Sequence, residues 1–204
     1  MRLRRCGADA VLVEFDSLTE VSAARAALAD VPDVVDLVPA ARTVLVTFVP
    51  GSGGARLVRD ALAGVDLTTP PPLSTRMVVL PVVYDGPDLD LVASTAGLSR
   101  AEVVALHSGA EYTVAFTGFA PGFGYLTGLP PALRQSRLDS PRAQVAAGAV
   151  GLAGEFTGVY PRSSPGGWRL LAHLAEDATP LFDSTRDPAA LLSPGDQVRF
   201  EALS

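Results

Sequence analysis

The stretch FTGFAPGFGYLTGLP, residues 116–130, packs four glycines and four aromatic residues into fifteen positions. It is too apolar for a solvated linker and too interrupted for a helix or a central strand. Its surroundings share that texture: ten of the nineteen glycines of the chain lie between Thr117 and Gly167. Short apolar pieces separate them, such as AAGAVGLAG (146–154) and WRLLAHL (168–174), and the chain closes with a strand pattern, DQVRFEAL (196–203). Upstream, DLDLVASTA (88–96) and SRAEVVALHS (99–108) read as short helices and YTVAF (112–116) as a strand. Short strands with Gly/Pro-rich connections predict a β-barrel or sandwich.

The first eighty-odd residues read differently. DAVLVEF (9–15) alternates as a strand, and Ser17 followed by Glu20 has the spacing of a capping box. Val21, Ala24, Leu28 and Val31 then share one helical face. VVDLVP (34–39) and RTVLVTFV (42–49) form a hairpin pattern, and after PGSGG a second helix carries Leu57, Val58, Ala61, Leu62 and Val65 on one stripe. RMVVLPVVY (76–84) is a further strand, reached through the proline-rich connector TTPPPLST (68–75). The order β-α-β-β-α-β is the split βαβ, or ferredoxin-like, unit. The strand at 76–84 either closes this unit or opens the next. PGSGG, lacking a lysine and following a hairpin, reads as a strand-to-helix turn rather than a phosphate loop. The expectation is therefore an α+β chain with domains at 1–75 and 76–204.

Composition removes several classes of chemistry. With 204 residues and 48% hydrophobic side chains, the chain is long enough for one large or two small cores. All sixteen basic residues are arginine. Without lysine there is no Schiff base, biotinyl-lysine or P-loop lysine, so any phosphate is held by arginine, main-chain N–H groups or a partner. A net charge of −6 argues against nucleic acid. One cysteine and two histidines cannot make an internal disulfide or an ordinary zinc site. The basic first residues lack a following apolar stretch of signal-peptide length, and no run approaches a membrane span. The localisation expected is cytoplasmic.

Two loops offer candidate sites. In the first, Phe119, Phe123 and Tyr125 are spaced by Pro121, Gly122 and Gly124. The rings either plug the end of the barrel or line a wall where a planar group stacks, with glycines admitting close approach. The second, GEFTGVYPRSSPGGWRL (154–170), carries Glu155, Thr157, Tyr160, Arg162, Ser163 and Ser164 in a frame set by Pro161, Pro165, Gly166 and Gly167. Arg162 either clamps an anion bidentately or is a solvated surface residue; Gly166 and Gly167 either aim N–H groups at that anion or simply turn the chain. His107, in the last turn of its helix, is placed either to complement the helix dipole or to move a proton. Arg134, Arg137 and Arg142 follow the first loop closely enough to share its site. No Ser-His-Asp triad can be assembled.

These segments carry a resemblance. LHSGAEYTVAFTGFAPGFGYLTGLP (106–130) and GVYPRSSPGGWRLL (158–171), with AVLVEF, VVDLVPAARTVLVTF and the late LLSPGDQVRF in matching order, are similar to the KipI, or 5-oxoprolinase B-subunit, family, also called allophanate hydrolase subunit 1. The resemblance implies an N-terminal ferredoxin-like domain and a C-terminal cyclophilin-like β-barrel. It implies a non-autonomous subunit of an ATP-dependent hydrolase that opens the lactam of 5-oxoproline. Its implied partners are the A and C subunits of that enzyme, the latter KipA-like. ATP is shared with or supplied by the partner, and magnesium can accompany it.

By the family pattern, His107, Tyr125 and Tyr160 become catalytic candidates, and Arg162 joins them by its place in the second loop. Phe119, Pro121, Gly122, Phe123, Thr157, Ser164, Pro165, Gly166, Gly167 and Trp168 become the ligand-binding ones, with Arg142 added from the basic cluster after the first loop, so the resemblance turns the first loop toward a ligand. Phe156, Ala146 and Ala149 depart from it, standing where the family usually has Gln, Pro and Ser, and AHLAED (172–177) replaces its usual loop. Two other activities stay open: a regulatory inhibitor of a histidine kinase, as for the family's namesake, and a carboxyltransferase-like half of a urea carboxylase system.

Overall fold

The structure is a computed structural model that describes residues 1–69 and 76–203. The chain divides into two compact units, Met1–Pro72 and Leu73–Ser204. Most of the connector expected at 68–75 lies outside the described residues.

In the first unit, β1 (Arg2–Arg5), β2 (Ala10–Glu14), β3 (Val34–Pro39) and β4 (Thr43–Phe48) form one antiparallel sheet in the order β1-β2-β4-β3. Alternation places Val11 and Val13 of β2 and Val44, Val46 and Phe48 of β4 inward. Helices α1 (Leu18–Leu28) and α2 (Gly54–Leu62) cover that face with Val21, Ala24, Leu28, Val58 and Leu62. Ser17 caps α1, its hydroxyl accepting from Glu20 N at 3.2 Å, as the capping-box spacing anticipates. The turn before α2 uses Gly53 at φ 77°, and a Cβ on Gly54 would run into the Phe48 ring, so the glycines serve tight packing.

One expectation is resolved and one element is new. The strand at 76–84 does not close this sheet: β5 (Met77–Val83) belongs to the barrel of the second unit. The edge beside β2 is taken instead by β1, whose RLRR sequence has no alternating pattern. Pairing to β2, a salt bridge from Arg4 to Glu14 at 2.8 Å and packing of Leu3 on the core hold it there.

In the second unit, seven strands close in the order β10-β7-β6-β13-β5-β12-β9. They are β5, β6 (Tyr112–Thr117), β7 (Gly124–Thr127), β9 (Ala149–Ala153), β10 (Phe156–Val159), β12 (Arg169–Leu174) and β13 (Gln197–Ala202). Closure leaves no free edge and is sealed by a parallel pair, β5 with β13, from the two ends of the unit. Short strands β8 (Arg142–Val145) and β11 (Ser164–Gly166) make a separate two-stranded ladder. Helices α3 (Leu89–Ala96) and α4 (Arg100–Ser108) feed Leu89, Val92, Ala93 and Val103 into the same core as Leu80, Leu126, Leu152, Leu171 and Phe200 of the strands. A full capping box at Ser99 and Glu102 starts α4.

Candidate functional site

The two loops singled out by sequence meet. The first joins β6 to β7, the second joins β10 to β12, and β10 lies beside β7 in the barrel wall. Phe123 of the first loop meets Tyr160 and Trp168 of the second edge-to-face, with centroids 5.5 and 5.4 Å apart. Tyr125 reaches Trp168 at 5.7 Å and stacks on Phe116 at 4.4 Å. Phe156, a departure from the family pattern, adds a ring against Phe116 and Tyr125.

The space between the loops is filled by these rings. Phe123 and Tyr160 are 2% exposed and Trp168 5%. Of the ring wall expected at Phe119, Phe123 and Tyr125, Phe123 is packed inside this cluster, Tyr125 is half-buried and Phe119 is exposed. Gly158 and Gly166 make this packing possible. A Cβ on Gly166 would collide with the Tyr160 hydroxyl, and one on Gly158 would lie 2.7 Å from the Gly124 carbonyl.

What remains accessible is the rim. Phe119 is 58% exposed and holds φ at 65°, a conformation strained for a bulky residue. The strain comes from a tight turn in which Ala120 N donates to Gly118 O at 2.7 Å, while Phe123 N donates to Ala120 O at 2.9 Å. Phe119 still touches Phe123 and Tyr160 edge-on. Pro121 and Pro165 are exposed and Gly122, at φ 84°, packs on Leu181 and Phe182. Beside the loop, Thr117 to Gly122, Phe182, Leu192 and Pro194 border a cleft of about 570 Å³.

Charge on this rim comes from arginine. Arg162 is exposed beyond Tyr160. Arg137, also exposed, opposes the upward push that burial gives the hydroxyl pKa of both Tyr125 and Tyr160. The third arginine is already engaged: Arg142 Nη2 donates to Asp88 Oδ1 at 2.6 Å. Ser164 Oγ is buried without a hydrogen-bond partner among the described residues, and Gly167 O accepts from Leu138 N at 2.8 Å. Among the described residues no group of three or more His, Cys, Asp or Glu side chains could hold a metal ion.

His107 and Thr157 lie elsewhere, inside the barrel. His107 is 0% exposed. Thr157 Oγ1 donates its one proton to Gly151 O at 2.9 Å, so it accepts from His107 Nε2–H at 3.0 Å. That leaves Nδ1 to accept from the Tyr84 hydroxyl at 2.7 Å. Tyr112 adds a bond to the His107 carbonyl at 2.7 Å. Burial holds the imidazole down to about 3 and pushes the Tyr84 hydroxyl up. A neutral histidine with both nitrogens engaged neither complements a helix dipole nor delivers a proton to the rim. Thr157 likewise spends its hydroxyl on the barrel.

Sequence reasoning missed Asp88, which binds Arg142, and Tyr84, which completes the histidine network. Asp88 follows Gly-Pro at a helix start, a context that signals a cap and no more. Arg169, bonded to Ser136 O and to the side chains of Thr95 and Gln135, was equally silent.

The chain is similar to known proteins over most of its length. A family model described as carboxyltransferase domain, subdomain C and D, covers residues 1–192. The 5-oxoprolinase B subunit of Escherichia coli O157:H7 is 42% identical over 183 residues, covering 85% of this chain and 80% of that protein. The chain belongs to the 5-oxoprolinase B-subunit (KipI) family. Among solved structures similar to this family member, TTHA0988 superposes with a TM-score of 0.80 at 36% identity over 96% of the chain. This chain spans 40% of the TTHA0988 chain. The urea carboxylase of Kluyveromyces lactis superposes over 99% of this chain and 22% of its own, with a TM-score of 0.75; its 19% identity is a likeness of fold alone. No helix among the described residues of this KipI-family member is long and apolar enough to cross a membrane.

Proposed function

We propose that this chain is the B subunit of an ATP-dependent 5-oxoprolinase, a non-autonomous component that acts with the A and C subunits to open the lactam of 5-oxoproline to glutamate. The reading rests on the family and on one observation: the two loops pack their own rings together and turn outward a strained, exposed Phe119, while Arg162, two residues after Tyr160, and Arg137 are exposed as well. Such a rim suits a site completed from outside better than an enclosed pocket.

Lactam hydrolysis attacks a resonance-stabilised amide. Transfer of the γ-phosphoryl group of ATP to the amide oxygen makes the carbon a better electrophile. One water then adds to that carbon and the C–N bond breaks, its electron pair and a proton going to nitrogen, which leaves an acyl phosphate; a second water displaces the phosphate, giving glutamate, ADP and phosphate. In this reading Arg162 and Arg137, with main-chain N–H groups of Gly166 and Gly167, support anionic oxygens, and Tyr125 and Phe119 border the ring. His107 and Thr157 hold the barrel, and proton transfer falls to groups on a partner. ATP and any magnesium are held mainly by the partner, and the chain works in the cytoplasm.

Purified alone with 5-oxoproline and ATP, the chain is expected to release no phosphate, and adding the A and C subunits restores release. In the assembled enzyme Arg162→Ala is expected to cut kcat/KM by about tenfold or more. Turnover by the isolated chain, or an unchanged kcat/KM for the variant, refutes the corresponding part of the reading.

A further inference from the structure

The geometry points to Asp88 as a positioning residue that sets the second loop through Arg142. This rests on the reading above, in which that loop borders the reacting groups. Asp88 is 5% exposed and lies at the start of α3, yet its carboxylate makes no bond to that helix. It turns to β12 and β8 instead. Oδ2 accepts from Leu170 N at 2.7 Å while Asp88 N donates to Leu170 O at 3.0 Å, so one residue closes a two-way bridge onto β12 immediately after Trp168 and Arg169. Oδ1 takes Arg142 Nη2 at 2.6 Å, and Arg142 Nη1 reaches Trp168 O at 3.5 Å.

Arg142 stands opposite Gly166 in the β8–β11 ladder. One carboxylate thus ties the barrel strand and the ladder on either side of Gly167 and Trp168. The approach is fixed from the other side as well: Gly86 N donates to Leu171 O at 2.9 Å, and a Cβ on Gly86 would strike the β12 backbone at Leu170 and Leu171.

The ladder needs such a tie. Two strands of this length are not stable by themselves, and β11 is irregular in register between Ser164 and Gly166. Besides the Asp88–Arg142 pair, it is held by Leu138 N to Gly167 O at 2.8 Å, an exposed Gln144–Ser163 bond, and the packing of Val145 in the ring cluster. The ion pair is the charged link, with the carboxylate buried and the guanidinium under a third exposed. Removing the carboxylate charge leaves a half-buried guanidinium facing an amide, and the ladder relaxes away from the barrel. The effect on catalysis is indirect: Asp88 touches no ligand and acts by fixing Gly166, Gly167 and Trp168.

Trp168 is the single tryptophan of the chain, so its fluorescence reads the tie directly. Acrylamide quenching is compared at a temperature well below unfolding for the wild type, Asp88→Asn, Arg142→Gln and Arg142→Lys, each as the full chain. The quenching constant is expected to rise about threefold in Asp88→Asn and Arg142→Gln, and less in Arg142→Lys, which keeps a charge for the carboxylate. In the assembled enzyme, Asp88→Asn is expected to raise KM for 5-oxoproline about tenfold with kcat changed less than about threefold. Should Asp88→Asn fail to fold, the two Arg142 variants carry the test alone. Unchanged quenching in variants whose unfolding midpoint drops overturns the positioning role and leaves Asp88 a general fold residue. Raised quenching with unchanged KM and kcat supports the tie but refutes the placing of the second loop at the reacting groups.

Discussion

The two places in the barrel where tyrosines gather are built on opposite terms. Around His107 every side-chain polar atom is spoken for: Tyr84, Tyr112, Thr157 and the Gly151 carbonyl form a closed chain of hydrogen bonds, with Phe200 4.6 Å from the imidazole. Around Phe123 the cohesion is ring against ring, and polar groups are pushed outward, to exposed Arg162 and Arg137. A buried polar network whose members satisfy one another is a structural device, because any proton it gave up would leave an uncompensated charge in a low dielectric. A rim whose cations have been turned to solvent can meet an anion without first breaking a bond.

The largest effect that tests this contrast is His107→Ala. It empties a fully buried site and strands Tyr84 and Thr157, and is expected to cost about 3–5 kcal/mol in chemical denaturation. A loss under about 1 kcal/mol in the same measurement would mean that the network carries little of the fold.

Acid gives the next largest effect. The folded imidazole titrates at about 3, below the ordinary value near 6.5. On acidification the unfolded chain therefore binds the proton first. Stability is complete above about pH 6.5 and falls toward pH 3, by at most about 1.4 kcal/mol per unit. In His107→Gln the slope between pH 6.5 and 4.5 is expected to vanish. If the variant keeps the wild-type slope in denaturant titrations, another group is responsible.

The smallest effect belongs to Phe119→Ala. It removes an exposed ring and leaves the strained φ to a smaller side chain, so stability is expected to stay within about 1 kcal/mol of the parent. A larger loss in thermal melts would place Phe119 in the packed cluster after all and erase the distinction between core and rim.

Much of this architecture could be read from residues. Alternation in DAVLVEF and RTVLVTFV placed β2 and β4, the Ser/Glu spacing placed the start of α1, and the glycine-rich texture after Thr117 marked a barrel or sandwich, of which the closed barrel is the one formed. β1 escaped notice because RLRR has no period; a partner strand and an ion pair make it a strand. The two loops stood out by their shared composition, but their meeting came with the pairing of β10 to β7. Which of their rings face solvent was not legible, since Phe119 and Phe123 are alike in sequence and separated in exposure by a single tight turn. Asp88 was invisible for a related reason: its partner stands fifty-four residues away.

Local periods, caps, turn positions and the exclusion of lysine chemistry were written in the order of residues, because each depends on neighbours within a few positions or on composition. That β5 joins the barrel, that His107 is buried and neutral, and that Arg142 is bound to Asp88 while Arg162 faces solvent were matters for the folded chain. Burial and charge pairing depend on which distant segments share a volume, and that is settled by closure of the barrel.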